Sequence, residues 1–338
     1  MLGGLALTRA FRLSARYSDR QALSNREMAG RALCPLYPFD SDSEAVQLAF
    51  GITIKRAPSS FKRLLSRYCL GLDSFWDEDL KVERAWVASL PYLDSTLDLD
   101  TNEPKKDIPG FLESLFAGKT EKLAFCLVTG LRLYREGLVT PGPIVVPIVK
   151  GKEPMWVTPS WLEIRHEDYS FREPKTFTLQ LADVPAVNSI LQDIGSWQVK
   201  ELPKSMEVAL TRFHASYGGE PDERIIDQII AFEALFLEGE QEKQYRLALR
   251  VACLIGRGVK TKNRIFRDMR DAYKLRSKIV HGSASLDVEE VERILPKTEE
   301  YLRQSIRKFL SLMAQGYKFK QIREELLDQK ILDSRMRL

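Results

Sequence analysis

Arg276 and His281 stand five positions apart, and their side chains suit work on an anionic group. A guanidinium grips the oxygens of a phosphate or carboxylate through a planar fork of donors. An imidazole changes charge near neutral pH and can give or take a proton. Together the two could hold a phosphate and move a proton beside it. They occur in the run Tyr273-Lys274-Leu275-Arg276-Ser277-Lys278-Ile279-Val280-His281-Gly282.

A helix must position them. Apolar residues recur at helical spacing through Ile265, Met269, Ala272, Leu275 and Ile279. Gly282 reads as the stop just past the helix end, where a left-handed residue is needed. His281 is then the last or next-to-last helical residue, where the carbonyl end of the dipole favours a protonated imidazole. On a wheel of about 100° per residue counted from Ile265, Arg276 falls at about 20°. It therefore flanks the apolar stripe and must find a partner or line a pocket. His281 lies about 140° away and about 7.5 Å further along the axis, a gap that an arginine can span toward a shared anion. Ser277 and His281 are four apart and share a face.

A second charged residue on an apolar face is Glu233. Ile225, Ile226, Ile229, Ile230, Phe232, Phe236 and Leu237 form the apolar arc of its helix, and Glu233 falls in the middle of it. Either it is exposed in a groove or it is ion-paired, since a lone buried carboxylate is costly. Arg276 is the natural partner, with Arg246 and Arg250 as competitors.

Basic residues gather around the motif. Between Arg250 and Lys278 there are ten lysines and arginines against Asp268 and Asp271. They form either a solvated helix face or a phosphate-tracking surface, with Arg264, Arg267, Arg270 and Lys274 as the expected phosphate contacts.

The decapeptide around Arg276 resembles the HEPN superfamily, and within it the Apea-like group. Its hallmark is Arg, four to six residues, then His; here it is Arg276, four residues, His281. Two further stretches agree with the resemblance: the Leu-x-Arg-Phe helix Leu210-Thr211-Arg212-Phe213, and Ala231-Phe232-Glu233-Ala234-Leu235. One departure is Ser277, where catalytic members often carry Asn, Asp or His. The resemblance covers about residues 205 to 315. It implies an all-helical domain that usually dimerises and often cuts RNA without metal, typically in phage defence or a toxin–antitoxin pair. Arg276 and His281 would be catalytic, with Glu233, Ser277, Lys278 and Tyr273 as auxiliaries; Tyr273 could stack on a base or simply pack. The rival expectation is a non-catalytic HEPN dimerisation or RNA-binding adaptor. There Arg276 and Glu233 would form a core ion pair and His281 would cap its helix. An open groove in which Arg276 and His281 meet their symmetry mates favours the enzyme; burial and saturation by protein partners favours the adaptor.

The whole chain sets the frame. Its 338 residues suggest two domains of ordinary size. A hydrophobic share of 44% with 29% charged residues fits a soluble globular protein, and no run approaches a membrane span. The net charge of +4 is too mild to imply nucleic acid by itself. Cys34, Cys69, Cys126 and Cys253 form no close pair, and Cys126 and Cys253 read as core thiols, which suits a reducing cytoplasm. His166, His214 and His281 are the only histidines, so no metal centre and no cofactor are expected.

The expected fold class is α+β: a mixed α/β N-terminal domain followed by an all-α HEPN-type helical bundle. Residues 1–30 read as a mobile basic arm, 31–204 as the mixed domain, and 205–338 as the bundle. Strands are expected at 51–55, 82–91, 143–149, 161–164 and 176–181, and helices at 59–70 and 183–197. Residues 94–109 read as a loop. The helical run 110–137 should be split at Gly118, and Pro296 should interrupt the helix that Asp287 opens. Helices over 206–217, 224–237 and 245–255 complete the bundle with the motif helix, and an amphipathic piece over 319–331 closes it. The five tryptophans read as core. The partners expected are RNA, a second copy through the helical domain, and a trigger or inhibitor for the N-terminal domain; no membrane is expected.

Overall fold

The computed structural model describes residues 31–57, 86–91, 108–142, 144–146, 155–157, 176–195, 202–239, 242–282 and 288–327, with 329 and 331. For 108–119, 145–146 and 155–157 the main chain alone is described. The arm 1–30, the expected helix 59–70, most of the loop 94–109, the strand 161–164, Cys69, Pro147, His166 and Asp287 lie outside the described residues. The chain is α+β, with both helices and an antiparallel sheet.

The described residues fall into two compact units. One draws on Met1–Tyr37, Glu44–Ala124 and Pro141–Pro159, the other on Pro38–Ser43, Phe125–Thr140 and Ser160–Leu338. The units thus interleave along the chain.

The first unit is built on a sheet. Its strands are β1 (Arg31–Tyr37), β3 (Ala45–Gln47), β4 (Thr53–Arg56), β5 (Trp86–Pro91), β7 (Ile144–Val146) and β8 (Met155–Val157), in the order β3-β4-β5-β1-β7-β8, with β6 (Thr140–Pro141) beside β1. β2 (Phe39–Ser41) belongs to the other unit. The β1–β5 register sets Leu33 against Ser89 and Leu36 against Trp86. Five consecutive buried residues, Ala32 to Leu36, mark β1 as covered on both faces. Pro35 donates no hydrogen bond, but its carbonyl accepts from the Gly142 amide at 2.8 Å.

The second unit is mostly helical. β2 pairs in parallel with β9 (Phe177–Leu179). Helix α1 (Ile108–Tyr134) enters this unit from Phe125. After it come α2 (Val184–Gly195), α3 (Lys204–Ala215), α4 (Pro221–Phe236), α5 (Lys243–Ile255), α6 (Gly258–Val280), α7 (Val288–Ala314) and α8 (Phe319–Gln321), which continues into a π turn, Ile322–Leu326. α4 lies against α3, α6 and α7, and α5 lies against α6. Phe213, Phe232, Phe236 and Phe309 are fully buried among them, with Phe236 edge-on to Phe309 at 5.3 Å.

Two expected breaks are absent. α1 runs unbroken through Gly118, which costs only about 1 kcal/mol against alanine. A second glycine in α1 has a packing reason: a Cβ at Gly130 would stand 2.5 Å from Leu191 Cδ2 of α2. α7 continues through Pro296. Pro296 and Glu292 are both exposed, so the carbonyl that loses its helical partner faces water. Cys34, Cys126 and Cys253 are buried and form no disulfide among the described residues, and burial pushes the Cys34 and Cys126 thiols up to about 12. No described helix is long and apolar enough to cross a membrane.

Candidate active site

α6 carries the motif, and its end is built as the spacing predicts. Ile265, Met269, Ala272 and Leu275 are its buried residues. His281 caps it with φ −89° and ψ 3°, and its amide donates to the Ser277 carbonyl at 3.1 Å. Gly282 follows with φ 63°, the left-handed value that glycine adopts without strain. The His281 side chain is exposed.

Arg276 sits half-buried on the inner flank of α6. Its Nε is fully buried and has no hydrogen-bond partner among the described residues. Among the described residues it makes no ion pair, and this corrects the expectation that Glu233 holds it. The Glu233 carboxylate accepts instead from the Tyr273 hydroxyl at 3.0 Å. Tyr273 is one turn nearer on the same helix, and its neutral O–H satisfies the acid without desolvating a second charge. Burial pushes the Tyr273 phenol up, the bond to Glu233 and its charge push it further, and nearby Arg276 opposes them. Glu233, Tyr273 and Arg276 are therefore neighbours, joined by one hydrogen bond and not by an ion pair.

The position of Glu233 explains the misassignment. The buried residues of α4 are Ile225, Gln228, Ile229, Ala231, Phe232, Leu235 and Phe236. On the wheel they run from about 240° through 0° to about 40°, which leaves Glu233 at about 80°, on the rim. Ile226 and Ile230, counted as core, are only half-buried and had drawn the arc toward it. Neither expected competitor pairs with Glu233. Arg250 is buried and donates to the Phe236 carbonyl at 2.6 Å, closing the end of α4, while Arg246 is exposed.

The basic stretch divides by face. Lys260, Arg264, Arg267, Arg270, Lys274 and Lys278 are all exposed. They fall between about 140° and 260° on the α6 wheel, roughly opposite Arg276. Lys278 pairs with Glu290 of α7 at 3.0 Å. Arg264 interacts with Tyr301, Arg267 donates to the Asn263 carbonyl at 3.4 Å, and Arg270 lies 5.6 Å from the Phe266 ring centre. Lys274 has no partner among the described residues. Ser277 is half-buried. The structure thus brings Arg276, Tyr273 and Glu233 together, ends the helix at His281, and sets the four expected phosphate contacts on the outer face.

No protein-family model matches this chain, and no curated protein or solved structure matches it closely enough to count as a relative.

Two features escaped the sequence reading. Tyr245, near the start of α5, is 45% exposed and meets Phe266 edge-on at 5.5 Å. Aromatic residues on both helices were its only signal. The other is a buried cluster on α1 and α3. Arg132 Nη1 donates to His214 Nδ1 at 2.9 Å, so Nε2 carries the hydrogen and donates to Thr129 Oγ1 at 2.8 Å. Burial first, then Arg132, holds His214 well below its ordinary range. Among the described residues, no three His, Cys, Asp or Glu side chains come together as a metal site.

Proposed function

We propose that the helical unit is a metal-independent endoribonuclease of the HEPN type. The observation that carries this is the state of Arg276: a half-buried guanidinium, unpaired among the described residues, five positions before an exposed histidine. The adaptor reading expects Arg276 paired with Glu233, but Glu233 is satisfied by Tyr273; its other expectation, His281 at the helix cap, is met.

The chemistry is transesterification. Arg276 binds the non-bridging oxygens of the scissile phosphate and stabilises the charge that grows there. His281 takes the proton from a ribose 2′-OH as that oxygen bonds to phosphorus. The bond from phosphorus to the 5′-oxygen breaks, and that oxygen must receive a proton. One histidine serves both transfers poorly. A second copy of the chain, with its own Arg276 and His281, supplies the acid, so the active form is a homodimer through the helical unit. The products are a 2′,3′-cyclic phosphate and a 5′-OH.

Incubation of the purified chain with total RNA, with and without EDTA, tests this reading. Cleavage that survives the chelator supports it, and no cleavage under either condition removes it. Light scattering tests the composite site: an active monomer at micromolar concentration would exclude it.

A further inference from the structure

We propose that Tyr245 is a stacking platform for a base of single-stranded RNA. Tyr245 leaves 45% of its surface exposed at the start of α5. Phe266 holds its ring edge-on, and Gln244 donates to the Arg270 carbonyl at 2.9 Å, fixing the two helices beside it. The ring lines an open depression of about 620 Å3 with Glu242, Lys243, Gln244 and Tyr273. Ligand sites span about 300–1,000 Å3, so a base with its sugar fits.

Charge names the occupant. Arg270 and Lys274 are exposed on the α6 face next to the depression and Lys243 lines it, three cations against the one acid of the lining, Glu242. None of the three is in an ion pair with a described carboxylate. From Lys260 to Lys278 the exposed cations recur every three or four residues over about 27 Å of helix. A basic track beside an exposed aromatic is the pattern that binds a single strand, with phosphates on the cations and a base on the ring. A duplex keeps its bases stacked and gains nothing from Tyr245. Tyr273, in the wall of the depression, precedes Arg276 by one turn, so a base seated there brings a neighbouring phosphate toward the motif. This last step rests on the nuclease reading; the docking does not.

The test is fluorescence anisotropy with the full chain carrying His281→Ala, so that substrate persists. The probes are a labelled 12-nucleotide RNA strand, the same strand in a duplex, and a poly-glutamate of equal charge. The expected order is single strand tightest. Tyr245→Ala should weaken it about tenfold and Tyr245→Phe less than about twofold, in line with base–aromatic stacking. Tyr245→Leu, which keeps the apolar contact with Phe266 but has no π face, should behave like Tyr245→Ala at an unchanged melting temperature. Equal binding of duplex or poly-glutamate, or an unchanged affinity in Tyr245→Leu, overturns the platform. RNA binding that depends on Tyr245 without cleavage by the unmutated chain would remove the nuclease alone. Cleavage with the same KM in Tyr245→Leu would remove the platform alone.

Discussion

Tyr273 donates its hydroxyl hydrogen to Glu233 at 3.0 Å, and this bond leaves Arg276 unclaimed. One neutral donor satisfies the carboxylate, so the guanidinium one turn further along α6 keeps its capacity to bind an anion. Had Glu233 and Arg276 been an ion pair, the same residues would describe a structural clasp.

Removing that donor should therefore matter more than removing the arginine. Tyr273→Phe strands a half-buried carboxylate and should cost about 1–2 kcal/mol in urea denaturation. Glu233→Gln keeps an acceptor and should cost less. A double-mutant cycle should give a coupling of about 1 kcal/mol for Glu233 with Tyr273 and under about 0.5 kcal/mol for Glu233 with Arg276. A large Glu233–Arg276 coupling would restore the ion pair.

Stability should fall in mild acid through His214. Its folded state binds a proton only well below the usual 6.5, whereas the unfolded chain binds one near that value. Below about pH 6.5 the unfolded state thus holds more protons, and stability declines as pH falls toward the depressed folded value. His214→Gln, with no ring to charge, should flatten this part of the pH–stability curve. Thermal melts from pH 7.5 to 5 measure it, and equal slopes in the two proteins would contradict the buried neutral ring.

The end of α6 was legible because it is local: the apolar spacing, the cap and Gly282 follow from the backbone alone. The partner of Glu233 was not. Wheel angles set Ile226 and Ile230 in the core, but which flank of α4 is covered depends on how the bundle closes around Phe232 and Phe236. The missed continuity at Gly118 and Pro296 has a similar cause, since neighbouring turns and solvated carbonyls offset a weak residue. The interleaving of segments 38–43 and 125–140 with the helical unit depends on long-range pairing such as β2 with β9, which no local pattern announces.

Charge on the outer face of α6 should govern affinity and not the chemical step. Lys274→Glu should raise KM at low salt, leave kcat within about twofold, and reduce the salt slope of RNA binding by at least the ~0.7 expected for one lost phosphate contact. A fall in kcat with KM unchanged would move Lys274 into the reacting centre.

The most direct measurement is cleavage of one end-labelled RNA by the full chain in EDTA, with the product ends then identified. The unmutated protein should leave 2′,3′-cyclic phosphate and 5′-OH ends. Because the His281 side chain is exposed, His281→Ala should melt with its parent yet cut at least about a hundredfold more slowly. Undiminished cutting by His281→Ala, or products ending in 5′-phosphate, would contradict the assignment of Arg276 and His281 as the catalytic pair.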